Sequence, residues 1–160
     1  MVSLLVHAVL GLTVVAWLVA SNRTIFSRPA DGPLFTPLEV VYYVVGVASI
    51  VFGWYFNIRF VAENATAGGN LIHGPGSYPN FIRSQFATAA SGSGISDYLI
   101  ANVILLPLFT IIDGYRRGIR RPWLYFLSSF FTSFSFPLAL YFATMERQRR
   151  HEQSRQAIDA

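Results

Sequence analysis

Thr36-PLEVVYYVVGVASIVFGWYFNIR-Phe60 decides how this chain is read. Between Glu39 and Arg59 it carries no charge, and a helix of about 20 apolar residues is what a bilayer's hydrocarbon core demands. Its beginning is marked as firmly as its middle. Thr36 supplies a capping hydroxyl, Pro37 occupies the first helical position and Glu39 stands three residues after the cap, so that otherwise orphaned backbone donors are satisfied reciprocally.

The rest of the chain repeats that character. Of 160 residues 53% are hydrophobic and only 12% charged, about half the charged share usual for a soluble domain. Met1 to Ser21 is an apolar run broken only by His7. No basic residue precedes it, which argues for a retained span rather than a cleaved signal. Ile95 to Asp113 and Pro122 to about Met145 are two further runs, joined by the turn Gly114 to Arg121, a connection short enough to make them antiparallel neighbours. Pro107 and Pro137 inside these runs are expected to kink their helices. The expectation is an all-α integral membrane protein of four transmembrane helices. It divides into a first helix (1–21), a three-helix membrane domain (38–150) with a long loop (58–94), and a charged tail (151–160) extending the fourth helix by a turn or two. In the loop, Tyr78 to Ala87 places Phe81, Ile82 and Phe86 on one side, predicting a short interfacial helix. Ala67 to Asn70 reads as loop.

Composition also removes chemistries. Zero cysteines exclude disulfides, thiolate metal sites and cysteine nucleophiles. His7, His73 and His151 lie on separate segments, so neither a metal nor a haem site is expected, and no cofactor is assigned. Twelve arginines and no lysine stand against eight acids. Most lie just beyond apolar runs, which fits anionic lipid headgroups better than nucleic acid. With four spans, the positive-inside rule ties at six arginines on each side. The flanks of the first helix lean toward an exterior N terminus, at the cost of translocating the basic tail.

From about Val40 to Arg150 the chain resembles the small bacterial membrane family catalogued as domain of unknown function 2834. The resemblance rests on Trp54-Tyr-Phe-Asn57, Phe81 to Ala90, Ser96-Asp-Tyr-Leu-Ile100, Trp123-Leu-Tyr125 and Ser135-Phe-Pro-Leu-Ala-Leu-Tyr141 leading to Glu146-Arg147. Its strongest part is Asp113-Gly-Tyr-Arg-Arg-Gly118. Asp113 stands where members tend to show a glutamate. The resemblance implies a fold and no activity.

Three groups of residues invite a role. Asp113, three and four residues before Arg116 and Arg117, is spaced to pair with them, and with Arg120 and Arg121 forms either a helix-end ion pair or a headgroup clamp. Asp97 and Asn102 are polar positions inside the third run, Asp97 in its first turn, and read either as packing groups or as contacts for a proton or polar substrate. Gly46, Ser49 and Gly53 form a small-residue stripe on the second helix, where a partner helix can approach closely. The serines and threonine from Ser128 to Ser135 are expected to support packing and the Pro137 kink. Without convergent acids or internal repeats, an accessory or scaffolding subunit of a larger membrane complex, in transport or respiration, is the leading expectation. A lipid- or isoprenoid-handling enzyme and a small transporter are the alternatives. The expected partners are the bilayer, its anionic headgroups and a membrane protein; the expected location is the bacterial cytoplasmic (inner) membrane, crossed several times.

Overall fold

The computed structural model describes residues 2–29, 32–66 and 72–159, and among these every regular element is helical. The elements are α1 (Val2–Ser21), α2 (Arg23–Phe26), α3 (Pro37–Asn64), α4 (Tyr78–Ser84), α5 (Ala89–Leu99), a π-helical segment (Ile100–Leu105), α6 (Leu106–Arg116), α7 (Trp123–Ser129) and α8 (Ser135–Asp159). Three helical stretches are long and apolar enough to cross a bilayer: Leu4–Ser21, Pro37–Asn64 and Ala89–Arg116. The chain is an all-helical membrane protein. The Ala67–Asn70 stretch lies outside the described residues.

The capping box at Thr36 forms as its residues dictate, with the Glu39 amide donating to Thr36 Oγ1 at 3.1 Å and the Thr36 amide to Glu39 Oε2 at 2.7 Å. Thr88 builds a second box with Ser91. That cap starts α5 at Ala89, ahead of the expected Ile95, so Asp97 falls well past the first turn and loses its expected contact with the helix dipole. Pro107 follows a change of helical geometry. It lies in the first turn of α6, and the preceding turn widens so that the Leu106 amide bonds to Ala101 O, a local π geometry that accommodates the missing donor.

The fourth apolar run is two helices, where one continuous span was expected. α7 ends at Ser129, the chain turns through 130–134, and α8 returns antiparallel to it, with Tyr125 Oη and Thr144 Oγ1 2.7 Å apart across the hairpin. The sequence dictates the break. Ser128, Ser129 and Thr132 hydroxyls donate back to the carbonyls of Tyr125, Phe126 and Ser128, competing with continued helix. Pro137 sits in the first turn of α8, where its lack of a donor costs nothing, and Ser133 Oγ accepts from the Phe136 amide. The charged tail continues the helix, and α8 runs to Asp159.

The hairpin sets the architecture. α8 runs antiparallel along α3 in the most extensive helix–helix contact: Glu39 meets Arg147, Gly46 faces Ala139, and Ser49 meets Ser133. The ends of α1, α6 and α8 and the start of α3 therefore gather at one end of the bundle, here the basic end. The start of α1, the end of α3, α4 and the start of α5 form the far end, where Phe60 packs on Phe81 and His7 lies by Tyr78. The core of Val14, Leu18, Ile119, Leu124, Tyr125, Leu140 and Tyr141 lies in the basic half. Val40, Val44, Val47, Val51 and Phe52 on α3 are exposed, as suits side chains that face lipid.

Candidate functional site

Two regions concentrate polar chemistry. At the basic end Glu39 is fully buried and receives two guanidiniums, Arg147 Nη1 at 3.0 Å on Oε1 and Arg150 Nη1 at 2.6 Å on Oε2. The remaining donors of Arg147 reach Ile25 O at 3.1 Å and Ser27 O at 2.9 Å, while Arg150 donates to Pro33 O. The two arginines thus tie α8 through Glu39 to the start of α3 and, through backbone carbonyls, to the segment between α1 and α3. Buried charges persist only when paired and fully hydrogen-bonded. The sequence alone gives Glu39 a capping role and assigns Arg147 and Arg150 none, so this cluster is new with the structure. The available signal was the three-residue spacing of Arg147 and Arg150, which sets both guanidiniums on one helical face.

The Asp113 group lies nearby. Asp113 Oδ2 accepts from Arg117 Nε at 2.6 Å and from Tyr141 Oη at 2.7 Å. The Asp113 carboxylate holds the Arg117 guanidinium above its ordinary value, so it stays charged. Arg116 and Arg120 are exposed. Arg121 turns away to Ser21 Oγ at 3.3 Å and over the Trp17 ring. The turn itself is a helix stop: Gly118, at φ 70°, and Ile119 donate to the carbonyls of Tyr115 and Gly114, the paired bonds of a left-handed C-cap. A Cβ on Gly114 would stand 2.5 Å from Pro122 Cβ, which explains the glycine. Asn22 locks the turn, donating to Arg120 O at 3.0 Å and accepting from its amide at 2.8 Å.

The second region is a cavity of about 480 Å³ beneath the tip of the α7–α8 hairpin. Its walls are Phe52, Phe56 and Phe60 of α3, Tyr78 and Phe81 of α4, and Phe131 and Phe134 of the tip. His7 Nε2 donates to Phe130 O at 2.8 Å, satisfying a carbonyl that the broken helix leaves unpaired. Ser49 and Ser133 hydroxyls meet at 2.7 Å on the upper wall. The Asn57 and Gln85 amides also line the chamber and make no side-chain hydrogen bond among the described residues. Tyr98 Oη accepts from Asn102 Nδ2 at 3.3 Å, which leaves its own proton available to the chamber. Burial pushes the Tyr78 phenol up, so it too remains a neutral donor.

The structure distributes the expected residues unevenly. Asn102 is buried in the π segment with Oδ1 unpartnered, whereas Asp97 is exposed, so the two do not form one site. Gly46, Ser49 and Gly53 do not form one free docking stripe: a Cβ on Gly46 would meet Phe136 of α8 at 3.3 Å, while Ser49 and Gly53 face Ser133 of the hairpin tip, which a Cβ on Gly53 would meet at 3.7 Å, and line the edge of the chamber. Close approach is what small residues permit, but the approaching helix is this chain's own. Among the described residues no three His, Asp or Glu side chains are grouped to hold a metal.

No curated protein and no solved structure matches the chain. Residues 41–147, from the second turn of α3 to the arginine that binds Glu39, match the family described as protein of unknown function DUF2834, and the chain belongs to that family.

Proposed function

We propose that this protein is an accessory membrane protein, resident in a cytoplasmic (inner) membrane, that holds an amphipathic lipid in the chamber beneath the α7–α8 hairpin. The chamber carries the reading. Its volume falls in the range of small-molecule sites, its walls are aromatic, and a few unpaired polar groups line it, the pattern expected of a site that orients a largely apolar ligand. From Ser135 to Arg147 α8 rises about 18 Å at 1.5 Å per residue. The hairpin therefore enters from the basic end and stops little more than halfway through a core about 30 Å thick, leaving the chamber at the depth of acyl chains. A partner protein would use the exposed outer faces of α1 and α3, since the small-residue stripe is covered.

The returning hairpin supports one orientation over the other. Arg23, Arg28, Arg116, Arg117, Arg120, Arg121, Arg147, Arg149, Arg150 and Arg155 belong to the basic end, and only Arg59 and Arg83 to the far end. That imbalance replaces the six-to-six tie of the four-span count, and by the positive-inside rule it supports a cytoplasmic basic end, tail included. Because the chain has no cysteine, single-cysteine variants test this directly. Ala87→Cys should react with an impermeant maleimide on intact cells and Gln153→Cys only after permeabilisation; the reverse pattern would invert the orientation.

For the chamber, the full chain extracted in a mild non-ionic detergent should retain a lipid by native mass spectrometry. Asn57→Trp, which fills the space without removing a hydrogen bond, should lose it while melting at the wild-type temperature. Equal lipid retention by the two proteins would refute the chamber as the binding site.

A further inference from the structure

We propose that the basic end carries a separate binding site for a phosphate group, in a pocket of about 430 Å³ where the end of α1, the Arg117–Arg120 turn and the charged part of α8 converge. Segments far apart in sequence supply its cations: Arg23 from α2, Arg117 and Arg120 from the turn, and Arg155 from α8. Glu152 is the one acidic residue that lines it. The Arg23, Arg120 and Arg155 guanidiniums make no hydrogen bond or ion pair among the described residues. Arg117 spends its Nε on Asp113, which leaves both terminal nitrogens to donate. Planar guanidiniums with free donors are the groups that best match phosphate oxygens.

The frame around these cations is fixed. Asn22 is buried, and its amide holds both the carbonyl and the amide of Arg120 while also donating to Leu18 O at 2.9 Å. His151 Nε2 donates to Ile25 O at 3.2 Å, which pins the ring at the pocket wall. Glu152 in the pocket and Asp113 behind Arg117 offset only part of the charge of the four arginines, and an anion offsets the rest.

Gln148 lines the same pocket and donates through Nε2 to Arg117 O at 3.1 Å, which fixes that turn against α8. The ligand that matches these cations is a phosphate: inorganic phosphate, a phosphate monoester, or a lipid headgroup such as phosphoglycerol.

The test uses the full chain in a neutral detergent, titrated with sodium phosphate against sodium chloride of equal ionic strength, with melting temperature as readout. A parallel arm measures melting temperature in nanodiscs of phosphatidylcholine alone or with phosphatidylglycerol. Phosphate, phosphatidylglycerol or both should stabilise the wild type selectively, and the arm that responds identifies the source. Arg120→Gln with Arg155→Gln should weaken that binding about tenfold or more, the loss expected when charge-assisted bonds are removed. Arg149→Gln, which changes an exposed arginine paired with Glu146 outside the pocket, should bind as the wild type does. If neither ligand stabilises the wild type beyond chloride, or if Arg149→Gln loses as much as the double variant, the arginines act only as general surface charge and the site does not exist. Because the substituted guanidiniums hold nothing in the fold, the double variant should melt normally in chloride.

Discussion

The two halves of this bundle solve opposite problems with the same helices. At the basic end Glu39, Arg147 and Arg150 are buried and bound to one another and to loop carbonyls, so charge closes the structure where helices begin and end. In the far half α7 stops short, aromatic side chains surround an open chamber, and the Asn57 and Gln85 amides make no side-chain hydrogen bond among the described residues. Buried charge pairing thus collects at the basic end and open, aromatic-lined space at the far end, a division expected because the parts of a fold that open most readily are the less tightly bonded ones.

The sharpest way to break that contrast is to remove the carboxylate. Glu39→Ala strands two arginines in a buried layer and removes half of the Thr36 capping box. Breaking a buried pair from one side costs about 3–5 kcal/mol, so the variant should be recovered poorly and melt far below the wild type. Glu39→Gln, which keeps an acceptor but not the charge, should fall between. Wild-type melting of Glu39→Ala would mean the basic end is not the stable half.

A smaller effect belongs to the helix stop. Gly114→Ala places a methyl 2.5 Å from Pro122 Cβ, and neither the helix nor the proline ring can yield cheaply. Overpacking of this kind costs about 1–3 kcal/mol. The loss should appear as a lower melting temperature with lipid retention in the chamber unchanged, because the turn lies at the opposite end.

The small-residue stripe tests the boundary between the halves. Gly46→Ala gains helix propensity of about 1 kcal/mol and spends part of it displacing the Phe136 ring, 3.3 Å away. Gly53→Ala meets only Ser133 at an ordinary 3.7 Å and should be neutral to stabilising. If instead both alanines left melting untouched but stripped a co-purifying membrane protein, the stripe would serve a partner rather than α8.

These positions also measure what the sequence reveals. The helix start at Thr36, the apolar runs of α1 and α3, the loop helix at Tyr78 and the Asp113–Arg117 pair follow from local chemistry: caps, periodicity and i,i+4 spacing. The folding back at 130–134 does not. Pro122 to Met145 is long enough to span, and its serines and Pro137 are compatible with a kink as well as with a stop. What selects the hairpin is tertiary: α8 must return along α3 to bring Arg147 and Arg150 to Glu39, a contact between residues more than a hundred positions apart. The chamber is a consequence of that return and inherits its illegibility, although His7, which caps the open end of α7, is visible as a lone polar residue in the first run.

The smallest effect comes from the ion pair at the other end of the helix that carries Glu39. Arg59 and Glu63 approach to 2.6 Å in an i,i+4 relation, with side chains 60% and 56% exposed. The distance matches the shortest bond to Glu39, yet the setting differs in every respect that decides an ion pair's worth. Water competes for both groups, salt screens them, and the base-before-acid order is the less favourable one on a helix. Arg59→Gln and Glu63→Gln should therefore melt within error of the wild type at low and high salt alike. A clear loss in low salt that vanishes in high salt would show that the far end, too, is held by charge, and the division between a locked basic end and an open far half would have to be redrawn.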